Sequence, residues 1–168
     1  SNYGIGIDNR LPDWKIEGDL KRFKKLTTGQ GNNVVIMGKN TFLSLPNGPL
    51  SNRYNIVISS TLNQLEGIKV VQNLEEAYPV AFDYISNKNG EIWVIGGSTV
   101  YEEAIKQNLI QEVFITKLEE EYNCDTYLGP VTISWIEKNK SNYIIIDSNK
   151  SLSHNKKKAL ESIKKLIK

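Results

Sequence analysis

The chain has 168 residues, 39% hydrophobic and 24% charged, which suits one ordinary domain with a single core and excludes both a large barrel and a disordered chain. Its formal net charge of +2 is uneven: residues 150–168 carry seven Lys and one Glu, +6, which leaves −4 on the rest. An acidic body whose only arginines are Arg10, Arg22 and Arg53 is not a nucleic-acid-binding domain by composition, and no apolar stretch nears the roughly 20 residues of a membrane helix.

Residues 1–12 read as a loop, because Gly4, Gly6, Asp8-Asn9 and Pro12 are turn residues with little periodicity. From Glu17 the pattern turns helical: Leu20, Phe23 and Thr27 fall at i, i+3 and i+7, and Gly29 and Gly31 close the helix. Val34–Met37 is a buried-strand run stopped by Gly38, and a short helix near Asn40–Leu45 ends before Pro46-Asn47-Gly48-Pro49. Tyr54–Ser59 is a second strand and Ile68–Val71 a short third. Asn73 with Glu76 three residues on opens a helix to about Ile85, with Pro79 in its interior. Glu91–Ile95 is another apolar strand, stopped by Gly96-Gly97, and a helix follows over Ser98–Gln107. Glu112–Glu119 and Asn142–Asp147 are rich in strand formers, and Thr132–Glu137 is a weaker strand candidate. Lys156–Ile167 has the pattern of an amphipathic helix, with Ala159, Leu160, Ile163, Leu166 and Ile167 on one stripe. Strands alternating with helices predict an α/β fold of three layers, a mainly parallel central sheet flanked by helices. The body spans 1–149. A basic helical tail spans 150–168 and reads as a solvated appendage rather than a membrane-surface or partner-binding helix.

Two strand-to-helix junctions carry glycine: Met37-Gly38-Lys39-Asn40-Thr41 and Ile95-Gly96-Gly97-Ser98-Thr99. Helix N-termini offer free N–H groups and a partial positive charge, and glycine permits close backbone approach, so two such turns on one sheet could cradle a pyrophosphate. They are equally readable as ordinary helix starts. Asp19 shares a helical face with Phe23. It is either a first-turn carboxylate favoured by the helix dipole or a carboxylate facing a ligand pocket, where it would pair with an amidine-like group. The only His is His154, in the tail, so the body has no His base. Cys124, the only cysteine, has no body His to activate it and no internal disulfide partner, and a reducing, cytoplasmic compartment is expected. Nor is there a His/Cys cluster for zinc, so no metal is expected. A carboxylate is therefore the expected proton-handling group.

Several blocks together resemble dihydrofolate reductase. Gly4-Ile5-Gly6-Ile7-Asp8-Asn9 with Leu11-Pro12 and Trp14 is similar to the family's active-site loop, and Asp19-Leu20-Lys21-Arg22-Phe23-Lys24 with Thr27 to its first helix. Val35–Phe42 with Ser44, followed by Pro49-Leu50, Arg53 and Asn55–Ser59, resembles the next strand–helix–strand block. Trp93-Val94-Ile95-Gly96-Gly97-Ser98-Thr99-Val100-Tyr101 resembles the second nucleotide-binding turn, and Ile115-Thr116 and Cys124-Asp125-Thr126 later landmarks. The match runs over about residues 2–130.

The resemblance implies NADPH-dependent reduction of 7,8-dihydrofolate to 5,6,7,8-tetrahydrofolate, with a small-molecule substrate and a chain that is a monomer or part of a fusion with thymidylate synthase. It assigns Asp19 as the pterin-binding carboxylate, with Thr116 supporting it and Trp14 holding a water. Leu20, Phe23, Leu45, Leu50 and Ile95 would line the substrate, and Arg53 would pair with the α-carboxylate of the glutamate tail. Gly96, Gly97, Ser98, Thr99, Val100 and Tyr101 would meet the pyrophosphate and nicotinamide half of the cofactor. Gly38, Lys39, Asn40 and Thr41 would meet its pyrophosphate and adenosine phosphates, Lys39, Ser59 and Ser60 its 2′-phosphate. Ile5, Gly6, Asn9 and Leu11 would form a lid. A pyrimidine reductase of riboflavin synthesis is a same-fold alternative, and a non-catalytic remnant a third. Departures from the family pattern are the extra Asp13 before Trp14, a sequence that opens inside the lid without the family's first strand, and an end lacking the family's last strand. Trp93–Ile95 and Phe114–Ile115 are accordingly expected to lack the neighbour between them.

Overall fold

The computed structural model describes residues 3–13, 18–118 and 122–139, together with the backbone of 143–147. In chain order these form β1 (Gly4–Gly6), α1 (Asp19–Thr28), β2 (Val34–Gly38), α2 (Lys39–Leu43), β3 (Tyr54–Ile58), β4 (Ile68–Val71), α3 (Leu74–Ile85), β5 (Ile92–Val94), α4 (Ser98–Lys106), β6 (Val113–Lys117), β7 (Thr126–Tyr127), α5 (Pro130–Lys138) and β8 (Tyr143–Asp147). Trp14 and the helix expected over Lys156–Ile167 lie outside the described residues.

The apolar run of β2 explains the centre of the fold. Successive side chains of a strand face opposite sides, so a run with no polar break must be buried on both. Val34 and Ile36 join Ile56, Val71 and Ala104 in one core under α3, whose Leu74, Ala77 and Ala81 complete it. Val35 and Met37 enter a second core with Val57 and Phe42 of α2. The four β2 side chains are fully buried. The sheet order is β4-β3-β2-β5 and every pairing is parallel, which is the expected layered α/β architecture. β6 pairs with β8 in parallel, and β1 with β7 antiparallel. Among the described residues β5 and β6 share no sheet, and Trp93 and Phe114 meet through their rings, centroids 5.2 Å apart.

Three sequence expectations need correction. The segment read as loop at residues 1–12 contains β1 and a two-residue hairpin, in which Ile7 and Arg10 exchange both backbone hydrogen bonds at 2.9 Å. Thr132–Glu137 is part of helix α5, not a strand. Its β-branched residues favour a strand locally, but Pro130 starts the helix and the Glu102 carboxylate of α4 caps it from outside, accepting from Val131 N at 2.7 Å and Thr132 N at 3.2 Å. On α1 only Thr27 of the expected inner face is buried, while Leu20 is 68% exposed. Pro79 does not interrupt α3; Asn73 Oδ1 caps the helix by accepting from Glu76 N at 2.9 Å.

Candidate active site

Because β2 and β5 are neighbours, the two glycine turns that follow them lie side by side. Gly38 N donates to Gly96 O at 2.8 Å, and the peptide between Gly96 and Gly97 is cis. Gly96 has φ +114°, a region that favours glycine, and a Cβ there would sit 3.3 Å from the Tyr101 hydroxyl. At Gly97 a Cβ would meet only Thr41 Oγ1, at 3.4 Å, so the space in front of the paired turns is open. Val100 is buried and packs on Gly38; Ser98 is half-buried, and Asn40 and Thr99 are exposed. Burial pushes the Tyr101 hydroxyl up to about 12 and keeps it protonated. Lys39 Nζ donates to Thr61 Oγ1 at 2.7 Å. Ser60 is exposed, whereas the Ser59 hydroxyl is engaged in its own turn, accepting from Thr61 N at 3.1 Å and Leu62 N at 2.9 Å.

Asp19 is the first residue of α1, and the helix has a left-handed Gly18 as its cap with no side-chain capping bond. The carboxylate instead reaches β6, where Thr116 Oγ1 donates to Asp19 Oδ1 at 2.6 Å. Of the two readings of Asp19, a purely helix-start carboxylate is the less suited to this geometry, because the group is fixed by another element. Arg22, one turn along, donates to the same Thr116 oxygen at 3.5 Å and lies over the Phe114 ring, 5.9 Å from its centroid. Burial pulls its guanidinium below the ordinary value and the Asp19 charge opposes that shift. Phe114 leads by ring contact to Trp93 of β5, and the chain continues from β5 through Ile95 into Gly96. The carboxylate and the glycine turns are therefore linked by one line of contacts.

At the other end of α1, Arg53 Nη1 donates to Thr27 Oγ1 at 2.8 Å and Arg53 Nε to Ser51 O at 3.0 Å. Burial lowers the Arg53 guanidinium from its ordinary value. Asn55, buried in β3, fixes this loop by accepting from Leu50 N at 2.9 Å and donating to Leu50 O at 2.9 Å and Arg53 O at 2.8 Å. Leu45, Leu50 and Ile95 are half-buried against the second core, and Phe23 is half-buried on α1.

Ile5 and Gly6 belong to β1, Asn9 to the hairpin turn, and Leu11 is 60% exposed. Asp8 and Asn9 have φ of 50° and 57°, as a two-residue turn matched to strand twist requires. The turn is latched by a residue 117 positions away in the sequence. Asp125 Oδ2 accepts from Asp8 N at 2.8 Å and Asp125 N donates to Gly6 O at 3.0 Å. The Asp8 amide, and after it the Thr126 hydroxyl, holds the Asp125 carboxyl below the usual carboxylate range.

The family model for dihydrofolate reductase matches residues 1–163. The chain belongs to the dihydrofolate reductase family. It is 36% identical over 145 residues to dihydrofolate reductase of Drosophila melanogaster, covering 81% of this chain and 78% of that protein. With dihydrofolate reductase of Staphylococcus aureus the identity is 33% over 151 residues, 89% of this chain and 86% of that protein. A bifunctional dihydrofolate reductase-thymidylate synthase of Paramecium tetraurelia is 37% identical over 140 residues, 83% of this chain, and the match spans 29% of that larger protein. The expected fold class, the oxidoreductase class and the reduction of dihydrofolate to tetrahydrofolate follow from membership in the dihydrofolate reductase family.

Several residues of this candidate site make contacts that the sequence does not announce. Thr61 stands beside Lys39, Asn55 clamps the Arg53 loop, Asp125 latches the Asp8-Asn9 turn, and Arg22 shares Thr116 with Asp19. Only Asn55 left a signal: an amide inside a buried strand run must find partners. The others act across 22 to 117 residues of sequence, where no local pattern reaches.

Proposed function

We propose that residues 1–149 form an NADPH-dependent dihydrofolate reductase body and that 150–168 is an appended basic tail. The observation that carries this reading is the Asp19–Thr116 pair, a carboxylate fixed by a second element at 2.6 Å and connected by packing to the paired glycine turns. Asp19 accepts from the N3 and 2-amino groups of the pterin, a planar arrangement that suits two charge-assisted bonds. Its charge favours the protonated form of N5, to which water carries the proton. Thr116 holds the carboxylate in place, and Trp14, by its position in the motif, holds a water nearby. Leu20, Phe23, Leu45, Leu50 and Ile95 line the substrate, and Arg53, pre-set by Thr27, presents its fork to the α-carboxylate of the glutamate tail. Leu11 and Leu20, 60% and 68% exposed, are the apolar surface that a bound ligand would cover.

The cofactor cradle fits a dinucleotide, since the turns approach through glycine backbone and a Cβ at Gly97 would project into the open space before them. Gly38, Lys39, Asn40 and Thr41 on one turn and Gly96, Gly97, Ser98, Thr99 and Val100 on the other would hold the pyrophosphate, and Tyr101 would meet the nicotinamide half. Lys39 with Thr61, Ser59 and Ser60 forms the 2′-phosphate end and selects NADPH over NADH. When bound, NADPH supplies the hydride delivered to C6 of the pterin. Ile5, Gly6, Asn9 and Leu11 close over that end and exclude water. No helix among the described residues is long and apolar enough to cross a membrane, and the single cysteine suits a reducing cytoplasm. The working unit is a monomer or the reductase part of a fusion with thymidylate synthase.

The test is NADPH oxidation with dihydrofolate, wild type against Asp19→Asn. The variant is nearly isosteric and keeps NADPH affinity. Turnover at neutral pH falls by about 10²–10⁴-fold, the usual scale for a positioned acid–base group, and recovers in part at lower pH as solvent protonates the substrate. Near-normal turnover of the variant at neutral pH would reduce Asp19 to a helix-start carboxylate and remove the folate assignment.

A further inference from the structure

We propose that Arg22 sets the charge preference of the pterin pocket, by offsetting Asp19 so that the pocket's advantage for cationic over neutral pterin-site ligands is held down. The inference rests on the reading of Asp19 as the pterin-binding carboxylate. Asp19 and Arg22 are three residues apart and so share a face of α1, while Phe114 and Thr116, two apart on β6, share a face of the strand. The two faces meet: Thr116 Oγ1 donates to Asp19 Oδ1 at 2.6 Å and accepts from Arg22 Nη1 at 3.5 Å, with the guanidinium carbon 5.9 Å from the centroid of the Phe114 ring. A carboxylate and a guanidinium thus sit on either side of one hydroxyl, both half-buried.

The charged residues flanking the pair on α1, on β6 and before β5 are exposed. Lys21 and Lys24 of α1 are exposed, as is Lys117, the next residue of β6. Glu91, before β5, is exposed and accepts from Trp93 Nε1 at 3.2 Å. No described carboxylate lies within salt-bridge distance of Arg22; among the described residues the one such pair is Lys106 with Glu102, at 3.8 Å. The guanidinium stays charged throughout the working pH range, since burial lowers a value that starts far above it. Its field therefore reaches the ligand. A cation held by Asp19 feels Arg22 as a like charge, whereas a neutral pterin of the same shape does not. In a half-buried site this difference amounts to about tenfold in affinity.

The experiment measures dissociation constants of a protonated 2,4-diaminopyrimidine and of folate, whose pterin is neutral, for wild type, Arg22→Gln and Arg22→Lys. The expected result is a tightening of the diaminopyrimidine by about tenfold in Arg22→Gln, with folate changed by less than about threefold. Arg22→Lys, which keeps the charge without the fork, retains the wild-type ratio of the two constants. Equal weakening of both ligands in Arg22→Gln would make Arg22 only a support for Thr116 and overturn the proposal, as would an unchanged ratio. If wild type bound neither ligand, the assignment of Asp19 itself would fail and take this inference with it, an outcome distinct from binding of both with an unmoved ratio.

Discussion

Asp125 holds the Asp8-Asn9 turn through an acceptor, so its hold depends on pH in a direction that can be worked out. The carboxylate accepts from Asp8 N, and this bond holds its folded-state value below that of a free carboxyl, about 3.9. A depressed value means that the contribution is fully present above the unfolded value and is lost as pH falls through the folded one. The Asp8 amide proton shift, followed by nuclear magnetic resonance, is expected to move with a midpoint below the free-carboxyl value of about 3.9. A midpoint at the free-carboxyl value of about 3.9, or above it, would mean that the latch is absent in solution. A second side chain with a separable effect is Thr27. It is buried, donates to Phe23 O at 2.8 Å and accepts from Arg53 Nη1 at 2.8 Å. Thr27→Val removes the acceptor, and loss of one hydrogen bond to a charged group, about 1.5–3 kcal/mol, sets an upper range. The KM for dihydrofolate should rise about tenfold with kcat nearly unchanged, while a dihydropterin without the glutamate tail shows no rise. An equal rise for both substrates would separate Arg53 from tail recognition.

At the scale of elements, α4 and α5 are joined by one carboxylate. Glu102 Oε1 receives two N–H groups of the first turn of α5, and a Cβ at Gly129 would stand 2.3 Å from that carboxyl. Gly129→Ala must expel Glu102 from the cap, and Glu102→Ala removes it outright. Each should cost about 1–2 kcal/mol in denaturant unfolding, the range for loss of an N-cap. Because both break the same contact, the double variant should cost little more than either single one; full additivity would show that Gly129 serves something else. This contact is also why α5 was illegible in the sequence. Thr132, Ile133 and Trp135 favour a strand locally, and the cap that decides for a helix comes from about 30 residues away. β1 and β7 were illegible for a related reason, being three and two residues long and paired across more than 100 positions. β2, β3 and β5 were readable because strands buried on both faces must be continuously apolar, and that pattern is local. The candidate site divided likewise. Asp19 and the glycine turns stood out as unusual residues in regular patterns, whereas Thr61, Asp125 and Arg22 acquire their roles only through the contacts of the folded chain.

For the molecule as a whole, the proposed placement of the cofactor across the paired turns would make its binding a stability term. β2 and β5 pair over three residues, Val34 to Ile36 against Ile92 to Val94, and their ends are joined by the Gly38–Gly96 hydrogen bond. A dinucleotide laid across both turns binds the folded state and not the unfolded chain. At 100 times its dissociation constant it therefore adds about 2.7 kcal/mol. For a chain of this size that is a rise of roughly 5–10 °C in thermal midpoint. Gly97→Val separates this effect from folding. The position has φ −82°, open to any residue, and its Cβ would touch only Thr41 Oγ1 at 3.4 Å, so the unliganded midpoint should stay near that of wild type. The branched side chain fills the space in which phosphate approaches the backbone, so the rise with NADPH should vanish. A variant that still rose by the wild-type amount would detach the cofactor from these turns while leaving the sheet that joins them intact.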